Sequence, residues 1–127
     1  MTILFYLKIR KGTVAFSDIS SSYSGSLVEG YVNNYKFEIE KMGVKVEEAR
    51  LIRKEELIDE KIGCSEIDFS CIDAPEWIYF TSYWTETPFS NEKVWRVNNK
   101  GEFGDYQHFN YNALGVRPVI VVSKFLF

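Results

Sequence analysis

Leu114-Gly115-Val116-Arg117-Pro118-Val119-Ile120-Val121-Val122-Ser123-Lys124 decides the fold. From Val116 to Ser123 it is apolar on both faces of an extended chain, the pattern of a strand buried between two layers. Pro118 lacks an amide donor, so it must sit where the ladder needs none. Upstream, Trp77-Ile78-Tyr79-Phe80-Thr81-Ser82-Tyr83-Trp84 is almost pure β-former and reads as a central strand, followed by a loop over 85–92. Lys93-Val94-Trp95-Arg96-Val97 alternates, with Trp95 and Val97 on one face and Val94 and Arg96 on the other. Asn98-Asn99-Lys100-Gly101 has the chemistry of a tight turn, and Glu102-Phe103-Gly104 reads as the return strand of a hairpin.

The chain has 127 residues, enough for one domain with one real core. It divides into an N-terminal hairpin (1–19), a helical half (20–73) and an aromatic β-rich half (74–127). Ten Phe, eight Tyr and three Trp favour strands and a dense core. A net charge of −3 argues against direct nucleic-acid binding, which needs a basic face. The apolar start Met1-Thr2-Ile3-Leu4-Phe5-Tyr6-Leu7 has no basic leader and soon meets Lys8 and Arg10, so a first strand explains it better than a signal peptide or a membrane span. A cytoplasmic protein is the expectation.

Residues 3–9 and 14–19 are both rich in β-formers, and Arg10-Lys11-Gly12-Thr13 between them reads as a hairpin turn. A serine-rich loop follows. Ser26 with Glu29 then has the form of a capping box. Leu27, Val28, Tyr31, Val32, Tyr35, Ile39 and Met42 recur at helical spacing, and Gly43 is placed to stop the helix. Residues 49–52 read as a short strand and 54–62 as a second helix ended by Gly63. From Glu55 to Glu76 acids outnumber bases, Lys61 being the single base; a solvated face is the ordinary explanation, and a patch for a basic partner the alternative. Cys64 and Cys71 match no metal-ligand spacing. The absence of an export signal argues against a disulfide between them, and spacing alone does not settle the geometry.

The Trp-rich segment, Val94-Trp95-Arg96-Val97 with its Asn-Asn-Lys-Gly turn, an irregular Tyr/Asn stretch and Gly115-Val116-Arg117-Pro118-Val119-Ile120 together resemble a bacterial and phage domain family of uncharacterised function. That family is similar to the C-type-lectin-like fold of formylglycine-generating enzymes and of variable proteins of diversity-generating retroelements. The similarity covers residues 20–124. It implies an α+β domain, two helices packed on a twisted, mostly antiparallel sheet. It carries no activity with it: the cysteines lie ahead of the aromatic block in no matching motif, and the Glu-Pro-Asn and Trp-Asn-Asp signatures of calcium-dependent sugar lectins are absent.

Asp105-Tyr106-Gln107-His108-Phe109-Asn110-Tyr111-Asn112-Ala113 mixes rings with amides and follows neither helical nor strand period. Tyrosine supplies contact area at low entropic cost and asparagine adaptable hydrogen bonds, as in binding loops. Tyr106, His108, Phe109, Tyr111 and Asn112, with Phe89 from the preceding loop, are therefore the candidate partner-binding residues. His108, the sole histidine, has no nucleophile or orienting partner that sequence can assign. Trp84, Trp95 and Arg117 read as structural, with the Arg117 guanidinium placed to stack on Trp84 or Trp95 or to pair with a carboxylate. The expectation is a non-enzymatic recognition domain without cofactor or metal. Its partner is a protein, with a glycan as the alternative ligand; a phage-encoded inhibitor of a host defence protein is the specific form. The competing readings are a structural subunit of a phage particle or surface assembly and a degenerate oxidase using Cys64 and Cys71.

Overall fold

The computed structural model describes residues 2–7, 11–103 and 107–123. The fold is α+β. Strand β1 (Thr2–Tyr6) pairs with β8 (Pro118–Ser123), which also pairs with β3 (Val46–Leu51), giving a three-stranded antiparallel sheet in the order β1-β8-β3. A second sheet has the order β2-β7-β4-β5-β6, from β2 (Lys11–Val14), β7 (Leu114–Val116), β4 (Tyr83–Pro88), β5 (Lys93–Val97) and β6 (Gln107–His108). All pairings are antiparallel except β4 with β7, where Tyr83 lies opposite Gly115.

The closing stretch is therefore two strands, not one. The chain breaks at Arg117, and its two sides serve different sheets. Arg117 holds the junction: its Nε donates to the Leu7 carbonyl (2.6 Å) and its Nη1 to the Trp77 carbonyl (2.5 Å). The guanidinium lies over the rings of Trp77 (5.1 Å) and Tyr83 (5.2 Å), rather than Trp84 or Trp95. Pro118 stands first in β8, where its missing donor costs nothing. Because β1 and β2 pair with opposite sides of this junction, the expected N-terminal hairpin does not form. Of the expected turn, Lys11, Gly12 and Thr13 lie in β2 instead, and Arg10 falls outside the described residues. Strand β2 ends at Val14, since Ser17 Oγ accepts the Ile19 and Ser20 amides and curls the chain.

Helix α1 (Leu27–Lys41) starts where its cap was expected. Ser26 Oγ accepts the Glu29 amide at 3.1 Å, and Glu29 reaches back to the Gly25 amide. Gly43, at φ +92°, gives the left-handed stop. The apolar stripe is shorter than its sequence pattern: Val28 and Val32 are buried, Tyr31, Tyr35 and Ile39 half so, while Leu27 and Met42 at the ends are exposed. Val28 and Val32 pack with Phe16, Leu51, Trp84 and Leu114, and Tyr35 and Ile39 with Val46, Ile120 and Val122. Alternation along the strands sends the other side chains to the opposite face. There Ile52, Tyr83, Trp95, Val97 and Val119 meet Leu57, Ile62, Ile78 and the cysteines. The sheets thus lie between α1 and a second layer made of α2 and the cysteine loop.

That second layer departs most from expectation. Helix α2 (Lys54–Leu57) is a single turn, because Asp59 Oδ1 accepts the Lys61 amide and its carbonyl the Ile62 and Gly63 amides, competing with helix continuation. Cys64 and Cys71 form a disulfide, buried at 5% and 0% exposure, against the sequence expectation. The segment expected as the central strand is mostly not strand: Pro75 starts a 3-10 turn over Glu76–Ile78, and β4 begins only at Tyr83 and runs through Thr85 to Pro88, where a loop was expected. Proline's fixed φ and the need to bury Ile78 outweigh β-propensity here. The hairpin turn after β5 does form. Gly101 has φ +85°, and Asn98 Oδ1 accepts the Lys100 and Glu102 amides. The return partner of β5 is β6, however, while Glu102 bridges to Ser70 and Phe103 is fully buried.

Candidate functional site

Three connecting segments converge at one end of the second sheet. The β4–β5 connection is tight: the Phe89 and Ser90 amides both donate to the Lys93 carbonyl, and Ser90 Oγ accepts the Glu92 and Lys93 amides. After β6 the chain turns again, with the Tyr111 amide on the His108 carbonyl at 3.0 Å. The third segment, between β2 and α1, is tied to both. The Ser17 amide donates to the Phe109 carbonyl (3.1 Å), the Phe109 amide to the Glu92 carbonyl (2.9 Å), and Ser21 Oγ to the Ser90 carbonyl (2.5 Å). Backbone groups that loops usually give to water are thus spent on one another, which orders this end of the molecule.

On that frame the candidate residues take different positions. Phe89 is 43% exposed and rests edge-on against Trp95, ring centroids 5.3 Å apart. His108 lies opposite Lys93 in the β5–β6 register and is half-buried. Its Nδ1 sits 2.8 Å from Asn110 Oδ1 and 3.2 Å from the Asn110 amide, and its ring is 4.2 Å from that of Phe109. Tyr111 is 39% exposed and Asn112 is exposed. Phe109 instead packs against the α1-side core that holds Phe16, Val28 and Trp84, so it positions the turn more than it presents a surface. Tyr106 lies outside the described residues. Trp84 is fully buried, its Nε1 donating to the Val14 carbonyl at 2.9 Å, and Trp95 is 8% exposed.

Sequence reading missed the serine segment's part in this surface. Ser20 to Ser24 face Glu86 and residues 88–91 across an open groove of about 710 Å³. A hydroxyl-rich stretch before a helix cap reads as loop chemistry, and only the Ser21–Ser90 bond shows which loop it meets. Tyr23 Oη is buried at the groove without a hydrogen-bond partner among the described residues. Burial, then the Glu86 and Glu29 carboxylates, pushes this phenol well above its usual range.

Elsewhere among the described residues Arg50 Nε is the other buried side-chain polar atom without a hydrogen bond. A groove of about 530 Å³ between β1 and α2 is lined by Tyr6, Arg53, Glu55 and Glu56 among others. There Tyr6 Oη donates to Glu56 at 2.9 Å and Arg53 Nε to Glu86 at 2.5 Å. Among the described residues no group of three or more His, Cys, Asp or Glu side chains could hold a metal ion, and no helix is long and apolar enough to cross a membrane. No family model, curated protein or solved structure matches this chain.

Proposed function

We propose that this chain is a non-enzymatic recognition domain, C-type-lectin-like in fold, that grips a protein partner with the three-segment surface. One observation carries the reading: Phe89, Tyr111 and Asn112 are exposed on segments held to one another by backbone hydrogen bonds. Aromatic and amide groups on a pre-ordered frame lose little entropy on binding, the usual economy of a paratope-like surface. A phage-encoded inhibitor acting on a host defence protein in the cytoplasm is the specific form we favour. Affinity capture from host lysate, read by mass spectrometry, tests it. Alanine at Phe89, Tyr111 and Asn112 together should weaken capture by about tenfold or more, with an unchanged melting curve; equal capture by wild type and variant would remove the assignment.

A glycan ligand is the second reading. It is favoured by the hydroxyl-lined groove, where Ser20, Ser22 and Tyr23 stand across from the exposed Phe89 ring. Binding on a glycan array that is lost in Phe89→Ala would select it over the protein partner.

A further inference from the structure

The second layer carries an apolar surface that neither the core nor the three-segment site uses. Ile67 is 96% exposed, Phe80 72% and Ile72 63%. These side chains do not hang on a loose loop. The Cys64–Cys71 bond closes the ring that bears Ile67, and the Ser65 and Ser70 backbones bond across it in both directions. The Cys71 amide then donates to the Gly101 carbonyl, and the Phe103 amide to the Phe69 carbonyl, docking the ring on the turn after β5. Ile72 Cγ1 and a Tyr79 ring carbon lie 3.1 and 3.6 Å from where a Gly101 Cβ would stand, so Ile72 sits beside the segment that leads to Phe80.

Phe69 adds an independent sign. It has φ +51°, the only positive value at a non-glycine position among the described residues. A bulky residue is rare in that conformation and persists only where its surroundings demand it. Its ring is held by Trp95 and Phe103, each 5.6 Å away between centroids. Phe69 is itself 38% exposed, so with Ile67, Ile72 and Phe80 it adds to the apolar surface left in water.

The charges around this surface say what would cover it. Between Gly63 and Glu92 the chain has no lysine or arginine, while Glu66, Asp68, Asp73 and Glu76 border the apolar side chains in sequence. The neighbouring bases are Lys54, placed 3.4 Å from Glu66 and over the Trp95 ring, Lys100 in the adjoining turn, and Arg117, whose guanidinium is already held by the Leu7 and Trp77 carbonyls. We infer that the disulfide-closed loop and the segment through Phe80 form a second docking face, whose occupant is a protein segment with an apolar ridge flanked by Lys or Arg. Burial of Ile67 and Phe80 supplies the affinity, and the acidic border excludes acidic partners and sets the orientation.

Amide chemical-shift mapping tests this on the oxidised, isotope-labelled chain, with an amphipathic leucine–lysine peptide as probe. The expected result is shifts confined to residues 66–72 and 79–80, weakening as salt rises. Ile67→Ser with Phe80→Ser should reduce the affinity by about tenfold or more. Both side chains are largely in water, so that variant keeps its fold. A Phe89→Ala, Tyr111→Ala variant should titrate like wild type, which separates failure here from failure of the three-segment site. Equal binding of a leucine–glutamate or a serine–lysine peptide, or shifts centred elsewhere, would overturn the inference. So would concentration-dependent self-association abolished by Ile67→Ser, which assigns the face to a second copy of this chain.

Discussion

Glu56→Gln is the sharpest probe of how the three-stranded sheet and α2 are joined. The Arg50 side chain keeps only 7% of its surface and that of Glu56 20%. Arg50 Nη1 and Nη2 donate to the two carboxylate oxygens at 2.5 and 3.0 Å, and Tyr6 Oη and the Arg53 amide fill the remaining lone pairs, each at 2.9 Å. Arg50 Nε has only an ion-pair contact with Glu48, 3.4 Å away, and no hydrogen bond. The carboxylate therefore links β3, α2 and β1 through one group. Removing its charge strands a buried guanidinium, which costs about 3 kcal/mol. Against a total of roughly 5–15 kcal/mol, the melting temperature should fall by roughly 10–15 °C.

Urea titration with a double-mutant cycle checks the cause. Arg50→Met combined with Glu56→Gln removes the stranded charge and should recover more than half of the loss, since a buried pair taken out whole is often nearly neutral. The pH dependence has a definite sign. Burial alone would raise the Glu56 carboxyl, but hydrogen bonds from Arg50, Arg53 and Tyr6 outweigh it and hold the group below its usual range. A depressed folded-state value contributes stability above the unfolded carboxylate's value near ~4.3, and that stability disappears as pH falls through the folded value. Glu56→Gln should flatten the acid limb. A loss below about 1 kcal/mol, or additive single effects, would refute the buried-pair account.

Three further outcomes follow from particular contacts. Reducing the Cys64–Cys71 bond, at a sequence separation of 7, should cost about 2–3 kcal/mol by loop-closure entropy; urea midpoints with and without reductant should differ, and coincident curves would count against the pairing. Arg117→Lys cannot serve both the Leu7 and Trp77 carbonyls while lying over two rings, so it should cost about 1–3 kcal/mol and change the tryptophan emission; a silent variant would deny Arg117 its role at the strand junction. Burial followed by the Glu56 hydrogen bond pushes Tyr6 up to about 12, and burial, opposed by Arg117, pushes Tyr83 to about 12. Their stabilising effect is fully present below the unfolded phenol value near ~10 and is lost as pH rises through 12. Absorbance titration should show these tyrosines ionising late, with one late step gone in Tyr6→Phe; a single wave near the ordinary value in folded protein would contradict it.

What could be read from residue order was local chemistry. The Ser26–Glu29 start and Gly43 stop of α1, the alternation of 93–97 and the Asn98-to-Gly101 turn depend on neighbours within a few residues, and each is present. The errors arose where a distant partner outweighed propensity. Residues 77–80 have strand formers, but Pro75 and the pull of Ile78 into the core bend them into a 3-10 turn. The two N-terminal strands look like a hairpin until Arg117 splits the closing run and gives each a different partner. The cysteines could not be paired from spacing, because the loop between them is shaped by Phe69 on Trp95 and Phe103, far away in the chain. The candidate surface divides in the same way. Its aromatic and amide composition is a local property of residues 106–112, visible at once. That Phe109 turns inward, and that serines from the start of the chain join Phe89 across a groove, depends on backbone bonds such as Ser17 to Phe109. The Ser17–Phe109 bond closes a loop of about ninety residues and the Ser21–Ser90 bond one of 69, an entropic cost met only by the cooperative packing of the whole core.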